Sequence, residues 1–596
     1  MIRRFACGAL TLVLLFCLSA CTRSGKGTAD EFPREETLRI GIAWGEPNTF
    51  NPLHPAPSWP VQQEHTVIYQ TLFYFDPEKG TLLPQLGSEL RSFPDRIEVD
   101  IHEAARWHDG KPVTARDVAY TFNHLYRINP GFPAWQYFSA VDVVDAAAER
   151  PRTVAFRFRA KDPNPLMVQH WLTLNAILPR HVWEPLLAAA KGDFNELIKH
   201  KADQNPIGSG PYRLHSYSAE KIVAERFDAY WGNAALHGGK LPAPRFLIAP
   251  IYKSNDHYSL ALQQGRIDAA NTFIPRIWLK ARKGVRAWFD EPPYFPPACM
   301  PTAFINHLRA PLNDVRFRRA MAFAINYDDI RELAVSGYSV PHEPGFILPF
   351  GVEKRYFNAE DAQRFGTRFD PARAREELAA GGYRAVFRDG ELIETRNASG
   401  ARVPTLFIQC PAGWSDWESM VRIMVRGMRE VGIDVREQFV DSTAYYRALP
   451  LGDFDLIIST PSPVPSPAEP WARFDFVLNS RDWAPAGERM FTNMGRFNRP
   501  GSPEYVARFD ELLARIPVVT DEAERTALYR ELNRLCMEVQ PAIPLVYRPK
   551  AFYEFTEKVW TGFPTAANPY LPPTVPTQGA GTLMLWHLRP AGAATP

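Results

Sequence analysis

Between Thr405 and Ile458 apolar strands alternate with amphipathic helices, and this alternation narrows the fold more than any other feature of the chain. Leu406, Phe407, Ile408 and Cys410 form a short apolar run. Ser415 and Glu418, three residues apart, have the spacing of a capping box, in which two side chains satisfy the free N–H groups that open a helix. Trp417, Val421, Met424 and Met428 then recur on one helical face, and Gly432 supplies a stop. Ile433, Val435 and Phe439 alternate as a strand, a short helix is expected over 443–449, and an apolar strand over 454–458. Strand, helix, strand, helix, strand implies a locally parallel sheet with right-handed crossovers, hence an α/β fold. Open parallel sheets bind ligands beyond the carboxyl ends of their strands. The loops at 411–415 and 459–471 stand there, and both carry Trp, Pro and small polar residues.

The chain opens with Arg3 and Arg4, then fourteen mostly apolar residues from Phe5 to Leu18, fewer than the ~20 that span a bilayer. This is the build of a secretory signal segment. It ends in Leu18, Ser19, Ala20 and Cys21, which resembles a bacterial lipobox and implies cleavage before Cys21 and lipid on its sulfur. Residues 1–20 are read as the signal peptide and 21–37, polar and without period, as a lipidated tether. The protein is then expected on the periplasmic or cell-surface side of a bacterial membrane, held by a lipid anchor at Cys21.

Charge excludes one class of partner. A net charge of +2, reduced to zero by removal of Arg3 and Arg4, does not fit a nucleic-acid binder working by phosphate neutralisation. Pro is 55 of 596 residues, which favours long loops and sharp turns over a helical bundle. The 15 Trp offer flat, rigid contact surface. Beyond the signal region and Cys21 only Cys299, Cys410 and Cys536 remain, enough for one disulfide at most, with the pairing open. No phosphate-binding loop, dinucleotide fingerprint, zinc motif or nucleophile elbow occurs, and His102, His108 and Asp109 lack metal-ligand spacing. No cofactor, metal or catalytic residue is expected.

Elsewhere, strands are expected at 38–42, 97–101 and 153–158. A helix should follow Thr114, with Asp117 at its start and Val118, Phe122 and Leu125 inward. Another should follow Asp314, a hairpin should turn at Asp389 and Gly390, and a last helix from about 520 should carry Leu528, Leu532 and Leu535. Residues 540–547, interrupted by Pro541 and Pro544, read as an edge strand or an interdomain crossing.

Three segments in order carry a family likeness. The first is Trp107-His108-Asp109-Gly110-Lys111-Pro112-Val113-Thr114-Ala115-Arg116-Asp117-Val118. The second is Pro206-Ile207-Gly208-Ser209-Gly210-Pro211-Tyr212 with Phe227-Asp228-Ala229-Tyr230-Trp231-Gly232, and the third is Pro311-Leu312-Asn313-Asp314-Val315-Arg316-Phe317-Arg318-Arg319-Ala320. Together, over nearly all of the mature chain, they resemble the family-5 extracellular solute-binding proteins, the oligopeptide-type receptors of ABC importers. The resemblance implies a large two-lobed periplasmic-binding-protein fold of type II with an extra subdomain in lobe I. Lobe I core is assigned to 38–55, 205–300 and 541–590, the subdomain to 56–204 and lobe II to 301–540. The crossings between lobes are expected near 300–304 and 540–547. In the motifs themselves, Gly110, Gly208 and Gly210 are expected to supply backbone angles that other residues disfavour, and Arg316, Arg318 and Arg319 a solvated or ion-paired face.

The likeness implies a monomer that captures an oligopeptide between its lobes and delivers it, unaltered, to a membrane permease. Peptide-binding relatives place an Asp in the loop after the strand at 454–458, but here that loop holds Thr460, Ser462 and four Pro, with no acid before Glu469. The segments around Trp414 and Trp417, Trp471, and Trp560 with Tyr570 resemble sugar-binding members, so an oligosaccharide is the alternative ligand. From another class, a surface-anchored hydrolase is the competing reading. The residues expected to bind substrate are Trp44, Trp414, Trp417, Thr460, Ser462, Glu469, Trp471 and Trp560, with Trp417 weakened by its place in the buried helical stripe.

Overall fold

The alternating segment folds into the parallel sheet that its pattern requires. In the computed structural model, strand Leu406–Pro411 lies parallel to Val435–Val440 on one side and to Leu456–Ser459 on the other. The structure describes residues 31–592 apart from 56, 63, 131, 133–134, 136, 161–162, 200–204, 462–465, 482 and 491. The intervening helix Ser415–Val431 buries Trp417, Val421, Met424 and Met428 and stops at Gly432, whose φ of 105° an L side chain resists. Its start differs from expectation. Trp414 occupies the cap position, and the Glu418 carboxylate accepts from the Gly413 N–H at 2.8 Å instead of forming a box with Ser415. Gly413, at φ 86°, turns the chain so that its N–H faces the first helical turn.

Two antiparallel strands complete this five-stranded sheet. Thr302–Ile305 pairs with Leu456–Ser459, and Ala542–Pro544 closes the edge against it, where proline leaves no ladder bond unmade. Ala542–Pro544 therefore belongs with lobe II, which moves the expected boundary at 541 a few residues later. Helix Val315–Phe323 follows Asp314, whose carboxylate accepts from the Arg316 N–H at 2.9 Å. Of the three arginines expected on a solvated face, Arg316 and Arg319 pair with Glu377. Arg318 instead is buried, donating to the carbonyls of Leu312, Val539 and Gln540 at 2.8–3.1 Å. It satisfies carbonyls left over where helix Glu522–Val539 ends.

A seven-stranded sheet forms the other lobe. Its centre is Thr37–Gly41, parallel to Phe246–Pro250 and Ala269–Ala270. Lys221–Arg226 and Tyr212–Tyr217 extend one side antiparallel, and Glu554–Thr556 and Val285–Arg286 the other. A separate four-stranded antiparallel sheet is built from residues 87–158. Beside it the expected helix starts at Ala115 with the Thr114–Asp117 capping box formed, and Val118, Phe122 and Leu125 are buried. Gly208 and Gly210 do not hold positive φ; a Cβ on either would fall 1.9 or 2.4 Å from the carbonyl oxygen of Ile68 or Val67. Their role is to let two backbones meet, which is visible in the Gly210 N–H and Tyr212 N–H bonds to Ile68 and Val67, both 2.9 Å. Gly110, at φ 86°, has the special conformation expected of it.

The chain passes twice between the two large sheets, and the passages pair with each other. Cys299 and Arg548 exchange backbone hydrogen bonds of 2.9 and 3.0 Å, and Leu545 N–H donates to the Pro301 carbonyl at 2.9 Å. Two short extended segments side by side can flex together while each lobe keeps its own core. The lobes also touch away from this crossing, where the Tyr137 hydroxyl meets the Asp475 carboxylate at 3.5 Å above the buried ring of Trp471.

Candidate functional site

A cavity of about 350 Å³ lies between the lobes, directly over the paired crossing segments. Lobe I lines it with Trp44, Asn255, Asn271, Thr272 and Phe273. Lobe II lines it with Trp414, Asp416, Trp417, Tyr445, Tyr446, Leu449, Ser459, Thr460 and Phe476. The crossing itself adds Cys299, Arg548, Lys550 and Phe552. The lobe II residues come from the carboxyl ends of the strands Leu406–Pro411 and Leu456–Ser459 and from the helices that follow these strands and Val435–Val440, which is where a parallel sheet presents a site.

Aromatic rings form the walls. Trp414 and Trp417 meet edge to face with centroids 4.8 Å apart, and Tyr445 stands 6.4 Å from each. The Tyr445 hydroxyl donates to the Ile458 carbonyl at 2.9 Å, so that ring is fixed to the sheet. Across the cavity Trp44 is 44% exposed and packs edge-on against Tyr258 at 4.7 Å. Trp44 and the half-buried Trp414 thus offer aromatic surface from opposite lobes.

The polar groups are of two kinds. Some are pinned: the Asn255 amide oxygen accepts from the Thr272 hydroxyl at 2.7 Å, and the Asn271 amide oxygen from the Phe552 N–H at 2.9 Å. Others are ionisable and buried. Asp416, 3% exposed, has its Oδ2 3.6 Å from Arg548 Nη1, and burial raises its carboxyl while Arg548 opposes the shift. Behind Thr272 the fully buried Glu554 is raised well above the usual carboxylate range by burial; one of its oxygens accepts from the Thr272 N–H at 3.4 Å.

Lys550 ends a buried ionic chain that runs away from the cavity into lobe II. Its Nζ meets Glu469 at 2.6 Å, the other Glu469 oxygen meets Arg473 at 3.2 Å, and Arg473 forks onto both oxygens of Glu353 at 2.8 and 2.9 Å. Arg473 also donates to the Phe346 carbonyl at 2.8 Å. Glu469 is therefore the counter-ion of two buried cations and does not line the cavity.

Of the residues expected to bind substrate, Trp44, Trp414, Trp417 and Thr460 come together around this cavity. Trp471 and Trp560 do not. Both are fully buried, and their indole N–H groups donate at 2.8 Å to the carbonyls of Leu513 and Thr37, so they are core anchors of lobe II and lobe I. Ser462 and Cys21 lie outside the described residues. The sequence reading missed Asp416, Tyr445, Tyr446, Arg548, Lys550 and the Asn255–Phe273 wall. Asp416 sits between two Trp that were singled out, and its charge on an otherwise buried helix face was a usable signal. The lobe I wall gave none, because strand ends far apart in sequence meet only through sheet order. Cys299, Cys410 and Cys536 are free and buried. Among the described residues no group of three His, Cys, Asp or Glu is placed to hold a metal.

Residues 94–484 match the model of the bacterial extracellular solute-binding proteins, family 5 middle. The chain is 24% identical over 561 residues to the probable peptide-binding protein YejA of Agrobacterium fabrum, covering 88% of this chain and 86% of that one. It is 24% identical over 490 residues to the periplasmic oligopeptide-binding protein OppA of Escherichia coli, covering 79% of each. Among solved structures, a mannohexaose-bound periplasmic oligopeptide-binding protein from Thermotoga maritima superposes with a TM-score of 0.82 at 28% identity. That match covers 94% of this chain and all of the other. The AppA protein of Bacillus subtilis, in complex with a nonapeptide, shares the fold at a TM-score of 0.69 and 17% identity, over 93% of this chain and 99% of that one.

Proposed function

The chain belongs to the family 5 bacterial extracellular solute-binding proteins, and on that footing we propose that it is the ligand-capturing receptor of an ABC importer, closing its two lobes on a short oligomer and passing it unaltered to a membrane permease. The observation that carries this reading is the cavity, which takes its walls from both lobes and its floor from the two segments that join them. A ligand touching both walls binds the closed arrangement better than the open one, and that difference is the free energy that drives closure. In this reading the receptor acts as a monomer on the periplasmic or cell-surface side of a bacterial membrane, tethered by lipid at Cys21. No catalysis is assigned to it, and the bound oligomer is expected to be recovered intact.

Two ligand classes compete. An oligopeptide is supported by the names of the curated relatives. An oligosaccharide is supported by the cavity: Trp44 and Trp414 face it from opposite lobes, and pinned amides and hydroxyls surround them. Aromatic faces take the flat apolar faces of sugar rings, and fixed polar groups take their hydroxyls. The geometry favours the oligosaccharide, of which the 350 Å³ cavity admits a short segment. Calorimetric titration with panels of peptides and of oligosaccharides tests this. Trp414→Ala should weaken the ligand that binds by about 30-fold or more, as truncation of a central aromatic anchor does. Unchanged affinity would remove Trp414 from the site, and failure of both panels would overturn the capture reading.

A further inference from the structure

We propose that the segment 276–283 of lobe I is a membrane-contact element, whose cations and exposed Trp278 and Leu279 rest on an anionic phospholipid surface. The inference rests on the reading that places the receptor beside a bacterial membrane, and it adds the face that meets the lipid. Between 269 and 289 the chain carries Arg276, Lys280, Arg282, Lys283 and Arg286 and no acidic residue. Arg286 pairs with Glu557 at 3.0 Å and with Asp290 at 3.4 Å. The other four pair with no acid among the described residues, and Arg276, Arg282 and Lys283 are exposed.

The segment folds as two short 3-10 turns, Ile277–Leu279 and Ala281–Lys283. Ile277 is buried; its N–H donates to the Tyr338 hydroxyl at 2.6 Å, and that hydroxyl donates to the Ile274 carbonyl at 2.6 Å. These bonds hold the turns against the body, while the next two side chains stay outside: Trp278 is 41% and Leu279 57% exposed. The Trp278 ring stacks on Tyr294 with centroids 5.5 Å apart, so it is fixed in place at the surface. Residues three apart eclipse in 3-10 geometry, which sets Arg282 beside Leu279. Apolar tips among unpaired cations match an anionic lipid interface. The boundary of the acyl chains takes Trp and Leu, and the headgroups take the ammonium and guanidinium groups.

The position of the element favours lipid over a protein partner. Arg34, close to the first described residue, donates to the Gly265 carbonyl at 3.2 Å. The Lys558 side chain runs from Gly265 to Gly284, next to Lys283; a Cβ on either glycine would stand 3.0 or 3.6 Å from it. One lysine side chain thus bridges the start of the body and the end of the cationic segment. Cys21 precedes Glu31 by ten positions, a length of chain that reaches at most about 35 Å, so a lipid on Cys21 keeps this end of lobe I at the membrane. The same end holds the amino ends of Thr37–Gly41 and Ala269–Ala270, whereas Trp44, Asn271 and Thr272 line the cavity beyond their carboxyl ends. The contact therefore leaves the cavity clear of lipid.

The test uses the full mature chain with Cys21→Ser, so that no acyl group contributes, and sedimentation with vesicles of phosphatidylcholine alone or with about one third phosphatidylglycerol. The protein should sediment with the anionic vesicles and not with phosphatidylcholine alone, and added salt should release it. Lys280→Gln, Arg282→Gln and Lys283→Gln together should weaken binding about a hundredfold, from about fivefold for each cation at an anionic surface. Leu279→Asn should weaken it about tenfold, and it decides the matter if the triple variant melts below wild type. Anionic-vesicle binding that neither variant changes, or no binding by the Cys21→Ser chain, would overturn the membrane contact. A triple variant that keeps vesicle binding but loses uptake in cells would assign the face to a protein partner and overturn it too. The underlying readings fail separately. An unmodified Cys21 in protein taken from cells would overturn the tether, and failure of the peptide and oligosaccharide panels the capture reading, while vesicle binding that the variants abolish would still support the contact.

Discussion

Arg473→Met is expected to cost this protein about 3–5 kcal/mol of stability, the usual penalty when one member of a buried ion pair is removed and its partner stays. Arg473 is 1% exposed and holds Glu353 through two bonds of 2.8 and 2.9 Å and Glu469 through a third contact of 3.2 Å. Methionine fills much of the volume but leaves two carboxylates in the protein interior with only Lys550 beside one of them. Adding Glu353→Gln to the variant removes one uncompensated charge and should recover part of the loss. Urea unfolding of the single and double variants measures both effects. A loss under about 1 kcal/mol would show that water screens the network, as it does for exposed pairs. Ligand affinity should fall too, because Glu469 and Lys550 transmit the network to the cavity wall.

Acid should destabilise the protein, beginning just below neutrality. Burial holds His65 and His108 down to about 4 and His170 and His342 down to about 3, and it lowers His307 as well. A histidine whose folded value is depressed lends stability that is complete above its unfolded value of about 6.5 and drains away as pH falls toward the folded value. Buried carboxyls act in the opposite sense, among them Asp117, Asp268 and Asp416, each raised by burial. Glu64, raised to about 7 by burial, and Glu554, raised well above its usual range, favour the folded state as pH falls toward 4.5. Histidines lowered by burial outnumber the carboxyls raised by it, so the unfolded chain binds more protons, and stability should fall as pH falls from about 6.5 to 5. Thermal melts across pH 7.5 to 5 check this. A flat profile would mean that these rings reach water or carry protons in the folded protein. His170→Phe, which removes one titrating ring, should make the slope shallower.

Much of the fold was legible in the sequence because it is local. The strands at Thr153–Phe158 and Arg96–Ile101, the helix after Asp314 and the parallel sheet around Leu406–Pro411 follow from periodicity, caps and turn glycines, each set by residues within a turn or a strand length. The site was legible in part for the same reason. Trp414 and Thr460 were reached through the rule that ligands sit beyond parallel strand ends, a rule that needs only the order of elements.

What the sequence determined was therefore the class of fold, the strand ends that face the ligand, and the family to which three spaced motifs bind the chain. Only the tertiary structure decided which aromatic rings face solvent and which charges face each other. Trp471 and Trp560 read like Trp414 in the chain, yet they are sealed behind carbonyls contributed by Leu513 and Thr37, the latter more than five hundred residues away from its indole. Glu469 looked like a ligand contact until Arg473 and Lys550 met it. Asp416 and Arg548 are brought together by the return of the chain through its second crossing. Burial and pairing are sums over neighbours that sheet order supplies from distant stretches of chain, and no local pattern encodes them.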